Sequence, residues 1–157
     1  MKRTTARKST VKVKRVSTIA ELVQALAVRI RVFVKEQRVP AEIELDTDDR
    51  RAIHFLATIS GKAVGTARLV MKHGAAKVGR MAVMKSYRRK GVGAQLLKHA
   101  VASARKLRAG TIYLNAQVAV IGFYERLGFR AVGKVFDEAG IAHRKMVFGG
   151  EVVTKVT

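Results

Sequence analysis

Arg88-Arg89-Lys90-Gly91-Val92-Gly93-Ala94 sets three cations directly before a glycine pair, and a segment of helical apolar spacing follows at once. Gly91 and Gly93 let backbone approach a ligand with no Cβ in the way. A helix start offers unpaired N–H groups and the positive end of a dipole, which together attract an anion. The stretch therefore predicts a cradle for a pyrophosphate, although a solvated basic turn before a helix would look alike. The segment behind it reads as a helix over residues 93–108. Val92, Leu96, Leu97, Ala100, Val101, Ala104 and Leu107 form its inner stripe, and Ala109-Gly110 ends it.

Two familiar phosphate loops are excluded by spacing. A dinucleotide fingerprint needs a third glycine, where this chain has Leu96, and an acid about twenty residues on, where Thr111 to Leu114 supply none. A nucleoside-triphosphate loop needs Gly-Lys-Ser/Thr, which is absent. What remains is Arg-x-x-Gly-x-Gly, here Arg88, Gly91 and Gly93. That run resembles the coenzyme A pyrophosphate loop of the GCN5-related N-acetyltransferase (GNAT) family.

Working outward, residues 111–115 are β-rich, so the strand ending in Met81-Ala82-Val83, the loop, the helix and this strand predict one βαβ crossover with parallel strands. Upstream, residues 52–60, 63–72 and 77–84 read as an antiparallel meander with turns at Ser60-Gly61-Lys62 and His73-Gly74-Ala75. Residues 10–17 alternate valine with cations as a half-buried strand. Ser17 or Thr18 caps a helix with Glu21 in its first turn, Ile19, Leu22, Val23, Leu26, Ile30, Phe33 and Val34 keep helical spacing, and Pro40 ends the unit. Downstream, residues 118–127 form a shorter helix closed by Gly128, and residues 129–136 and 143–148 pair as a hairpin.

The chain has 157 residues, enough for one domain with a core. Residues 1–10 read as a disordered basic tail and 11–150 as one domain. No cysteine is present, which excludes disulfides and a thiolate acyl-enzyme. The start lacks an apolar signal core, and no run reaches the roughly 18 apolar residues of a membrane span. The expected location is cytoplasmic. The net charge of +21 implies affinity for polyanions, with seven Lys or Arg among the first fifteen residues. A nucleic-acid-associated protein built on the same scaffold is thus the alternative function, and a non-catalytic acyl-CoA binder a third. Residues 36–49 hold six of the eleven acids. Such a cluster would draw a protonated amine, or it is a solvated loop with helix caps. The four histidines are scattered and predict no metal site.

Further runs resemble the ElaA/YjcF-like branch of the GNAT family: residues 31–40, Glu44-Leu45-Asp46, residues 79–83, Leu114-Asn115-Ala116-Gln117, residues 123–129 and Gly140-Ile141-Ala142-His143. The resemblance spans residues 11–148. It implies an α/β (α+β) fold with a central mixed, mostly antiparallel sheet of about seven strands, a splayed parallel pair and flanking helices. It also implies transfer of an acetyl group from acetyl-CoA to a primary amine, on a small molecule or a peptide, in a ternary complex. Met81, Ala82 and Val83 would offer strand backbone to the pantetheine arm. Arg88, Arg89, Lys90, Gly91, Val92, Gly93 and Ala94 would hold the pyrophosphate, and Asn115 would bond the pantetheine from across the splay. Tyr124, also in contact with the cofactor, would be the general acid, because a phenol near pKa 10 can protonate a leaving thiolate near 8.5. Arg31, Phe33, Glu44 and Asp46 would line the acceptor site. For the base, His54 leads, with Glu44, Asp46 and His143 behind it, or a water chain with no dedicated base. A homodimer through the C-terminal strands is among the assemblies the family implies.

Overall fold

Thr18 starts the first helix by a reciprocal cap. Its hydroxyl accepts from the Glu21 N–H at 3.1 Å, and the Glu21 carboxylate accepts from the Thr18 N–H at 3.1 Å. The computed structural model describes residues 10–149. The expected disordered tail at residues 1–10 therefore lies, save for Thr10, outside the described residues. The elements are β1 (Val11–Arg15), α1 (Ile19–Arg29), α2 (Ala41–Glu44), β2 (Ile53–Ile59), β3 (Lys62–Lys72), β4 (Ala75–Val83), α3 (Val92–Lys106), β5 (Thr111–Gln117), α4 (Ile121–Glu125), β6 (Phe129–Glu138) and β7 (Ile141–Phe148). One seven-stranded sheet runs in the order β1-β2-β3-β4-β5-β7-β6, and only β4 and β5 pair in parallel. The fold is the mixed sheet with one parallel pair and flanking helices that the sequence predicts.

Two irregularities shape the centre of the sheet. First, β4 and β5 pair only from Ala75 with Thr111 to Val78 with Leu114, then part, although β4 runs on to Val83 and β5 to Gln117. Second, β4 carries a bulge, because Ala67 of β3 faces both Arg80 and Met81. Arg80 has φ 48 there. The extra residue exchanges the two sides of the strand. Ala76 and Val78 pack in the core with α3, and past the bulge so do Met81 and Val83, while Ala82 packs instead with Val28 of α1 and Val32 just beyond it. Close packing of α3 is set by Gly65 of β3. A Cβ there would stand 2.8 Å from Val92 Cγ1 and 3.0 Å from Leu96 Cδ1.

The structure corrects the stripe read for α1. Ile19 and Val23 are exposed, and the buried face is Ala25, Val28, Arg29 and Val32. Nor does Pro40 end that helix. After Arg29 the chain widens into a π-helical turn over Ile30–Glu36, stopped at Gln37, and Pro40 instead caps α2. The acidic run is more than a solvated loop with helix caps: Asp46 and Asp49 do cap the turn Thr47–Arg50, but Glu44 is buried and three of the acids are bound by arginines. Arg29, with 0% exposure, donates to Glu44 Oε1 at 2.8 Å, to Asp49 Oδ1 at 2.6 Å and to the Glu44 carbonyl at 2.8 Å. Arg68 of β3 donates to Asp46 Oδ1 at 2.6 Å and Asp49 Oδ1 at 2.9 Å. Arg80, aimed by the bulge, reaches Asp46 Oδ2 at 3.0 Å and Glu44 Oε2 at 3.2 Å. Burial would raise Asp49, but bonds from Arg29 and Arg68 outweigh it and hold the carboxyl at about 2. At Glu44 burial wins and pushes the carboxyl up against the pull of its arginines.

Breaking this network from one side leaves a charge buried without its main partner. Arg29→Ala should therefore cost about 3–5 kcal/mol of stability. Urea denaturation measures it, and a loss under about 1 kcal/mol would mean the network contributes no more than an exposed pair.

Candidate active site

Where β4 and β5 part, a cleft of about 750 Å³ opens between them. Its floor is the freed edge of β4 from Gly79 to Val83, and its far wall is the end of β5 with Asn115 and Gln117. Buried backbone needs hydrogen-bond partners, so an unpaired strand edge lining a cleft suits an extended amide-bearing ligand. Met81, Ala82 and Val83 all line it, although the Val83 carbonyl already accepts from Arg88 Nε at 2.9 Å.

The glycine loop closes one end. Gly91 takes φ 80 as the N-cap of α3, and nothing stands within 4 Å of a Cβ built on it. An L side chain would be strained there. No side chain caps α3, and its first backbone bond runs from Gln95 N to Gly91 O. The N–H groups of Val92, Gly93 and Ala94 thus have no intrahelical acceptor, and all three residues line the cleft. A pyrophosphate fits such an end. Gly93 is tight on another count, since a Cβ there would stand 3.2 Å from Phe123 Cζ and push the ring back. Arg88 and Arg89 line the cleft, whereas Lys90 does not: its Nζ sits over the Tyr87 ring, 5.4 Å from the centroid. Arg88 is engaged elsewhere as well. It makes a forked pair with Glu36, at 2.6 and 2.7 Å. Arg88 in turn holds the Glu36 carboxyl below its ordinary range.

Tyr124 enters from α4, with its ring edge-on to Phe123 at 5.1 Å and to Phe129 at 6.3 Å. Burial pushes its phenol up to about 12. Phe33 lines the opposite wall with Val32, Val39 and Ile43, and the π-helical turn is what aims it there. Arg31 is exposed and is not part of the lining. Glu44 reaches the cleft and Asp46 does not, and both carboxylates are engaged by arginines. His54 is not brought to the cleft either. It is buried on β2, with Nε2 2.9 Å from the Asp49 carbonyl, and it ties down the acidic turn. His143, the last of the candidate bases, does line the cleft. Two lining glutamines carried no role in the sequence reading: Gln117 Nε2 donates to Gln37 Oε1 at 2.9 Å across the mouth. Gln117 lies two residues after Asn115, so the period of a strand puts both on one face.

A family model described as an acetyltransferase (GNAT) domain matches residues 17–148. The uncharacterized N-acetyltransferase YjcF of Bacillus subtilis is 40% identical over 128 residues, which are 81% of this chain and 91% of that protein. Among solved structures, an acyl-CoA N-acyltransferase from Pseudomonas aeruginosa is 31% identical with a TM-score of 0.76, covering 89% of this chain and 99% of that one. Escherichia coli ElaA is 26% identical with a TM-score of 0.79, covering 88% and 99%.

For Arg88 to meet a pyrophosphate it must leave Glu36. An exposed pair is worth up to about 1 kcal/mol, so Glu36→Gln should tighten acetyl-CoA binding by up to about fivefold. Calorimetric titration reads this directly. Unchanged affinity would place Arg88 outside the cradle.

Proposed function

The chain belongs to the GNAT acetyltransferase family, in its ElaA/YjcF-like branch, and from that membership we propose that it transfers the acetyl group of acetyl-CoA to a primary amine by direct attack. The family uses acetyl-CoA as co-substrate. The observation that carries the reading is the coincidence of three features in one cleft: a parted strand edge, an uncapped helix start at a glycine, and a half-buried tyrosine.

Each part has its task. The N–H groups of Val92, Gly93 and Ala94 bind the pyrophosphate, with Arg88 and Arg89 adding charge. The β4 edge and Asn115 hold the pantetheine arm between the two strands, which directs the thioester toward the β5 end and Tyr124. The amine nitrogen attacks the carbonyl carbon, the C–N bond forms and the C–S bond breaks. Tyr124 protonates the leaving sulfur. Its raised pKa keeps it protonated throughout the working range. It also means that the phenol does not hand over its proton unaided, since a thiol titrates near 8.5. The transfer is driven by the acetylated nitrogen, which loses a proton as the C–S bond breaks and so restores the phenol. With no cysteine in the chain, a thiolate acyl-enzyme is excluded and one-step transfer is favoured.

Tyr124→Phe keeps the ring contacts with Phe123 and Phe129 and removes only the hydroxyl. It should lower kcat by about 100-fold while leaving the Kd for acetyl-CoA unchanged. Thiol release monitored alongside calorimetry separates the two. Full activity in this variant would remove Tyr124 from the mechanism.

A further inference from the structure

Direct attack needs a neutral amine, and at neutral pH an alkylamine is an ammonium ion, with a pKa of about 10.4 for the lysine side chain. Something at the site must receive the cation and take its proton. The acidic cluster is poorly placed to do so, since Glu44, Asp46 and Asp49 are held by Arg29, Arg68 and Arg80. Among the described residues, two carboxylates line the cleft, Glu44 and Glu138, and Glu138 has no arginine or lysine partner. It stands at the end of β6, with its side chain 43% exposed.

Beside it is His143. This residue lies on β7, in register with Gln117 of β5 and with Phe136 of β6. It is buried against the protein yet lines the cleft. Its ring is held in two ways. Phe136 stacks on it, with centroids 6.0 Å apart and planes at 24°. The Nδ1 atom lies 2.7 Å from the Ile141 carbonyl. A carbonyl oxygen only accepts, so Nδ1 carries the hydrogen and the neutral ring keeps its lone pair on Nε2. That Nε2 lies 3.7 Å from Glu138 Oε2. The cations that line the same cleft are Lys77, Arg80, Arg88, Arg89 and Arg126, of which Arg80 is held by Glu44 and Asp46 and Arg88 by Glu36. Gln117 faces His143 from β5, the turn before α4 contributes Val118 to Val120, Asp137 accepts from the Gly140 N–H, and Arg144 turns away to the Gly133 carbonyl.

We propose that Glu138 receives the acceptor amine as an ammonium ion and that His143 Nε2 is the general base that deprotonates it; this rests on the transfer reaction proposed above. The proton count closes. The ammonium gives one proton to His143 Nε2, and the imidazolium is stabilised by the Ile141 carbonyl on one side and Glu138 on the other. The neutral amine forms the C–N bond. A second nitrogen proton leaves as the C–S bond breaks and is balanced by the one Tyr124 gives to sulfur. His143 returns its proton to solvent when the product departs, leaving amide, thiol and one released proton.

The test is a pH series of kcat/KM for acetyl-CoA-dependent thiol release, run over a panel of primary amines. Wild type is compared with His143→Gln and Glu138→Gln. A base that deprotonates a bound ammonium makes the histidine matter most where free amine is scarce. His143→Gln should therefore fall about 100-fold at pH 7, and the deficit should shrink by about tenfold per pH unit toward the amine's own pKa. Glu138→Gln should raise the KM for amine by about fivefold with kcat little changed. A His143→Gln deficit that is equal at every pH, or no deficit at all, overturns the assignment and leaves the transfer reaction standing. Absence of thiol release by the wild type with every amine overturns both.

Discussion

Two parallel strands that begin as partners and then separate leave backbone groups with no neighbour, and the rest of the molecule is arranged around that vacancy in the sheet. Val78 and Leu114 are the last pair of the parallel ladder. Beyond them β5 stays in the sheet only through β7, down to Gln117 opposite His143. The freed part of β4 is held from its other side by β3 and bent there by the bulge at Arg80 and Met81. An open strand edge ordinarily invites another strand. Here it faces a cleft whose end is the bare N-terminus of α3, so the matching ligand combines peptide-like amides with a strong anion. Coenzyme A has both, in that order along its length.

The bulge ties this cleft to the arginine network. It turns Arg80 toward Glu44 and Asp46, so the element that bends the ligand-facing strand also anchors the acidic turn. Arg29 from α1 and Arg68 from β3 complete the network on the same acids. Much of the chain's small acidic content is therefore used internally, which is one reason so basic a protein presents few free carboxylates to a substrate. Buried ion pairs of this kind are weak evidence for net stability but costly to break singly. Their clearer consequence here is geometric, because they tie Arg29, the last residue of α1, to the acidic turn directly before the π-helical turn that carries Phe33.

The fold was legible because its markers are local. The Thr18 cap, the turns at Gly61 and Gly74, the glycine pair before α3 and the strand alternation each declare themselves within a few residues, and the resemblance to acetyltransferases supplied the order. The glycine-loop end of the cleft was legible for the same reason, since Gly91, Gly93 and the following helix are contiguous. The acceptor end was not. Glu44 and Asp46 read as free acids because their partners lie 15 to 36 residues away in the chain. His54 looked available because nothing in the spacing of Asp49 and His54, five residues apart, announces the bond between the Asp49 carbonyl and the ring. The exposed faces of Ile19 and Val23 were misread because a buried arginine, Arg29, takes an inner position that hydrophobic periodicity assigns to apolar residues. Gln37 and Gln117 meet only when the π-helical turn brings α1 to the end of β5, a packing event with no signature in either segment.

The pyrophosphate cradle is the centre of this account, and the most direct measurement is a pair of calorimetric titrations at fixed salt, one with acetyl-CoA and one with S-acetylpantetheine, which has the same thioester arm and no pyrophosphate. Charge-assisted bonds from the α3 N-terminus and its arginines should make acetyl-CoA bind at least about 100-fold more tightly. Equal affinities, or no binding of acetyl-CoA, would contradict the assignment of the glycine loop and the reading of the cleft built on it.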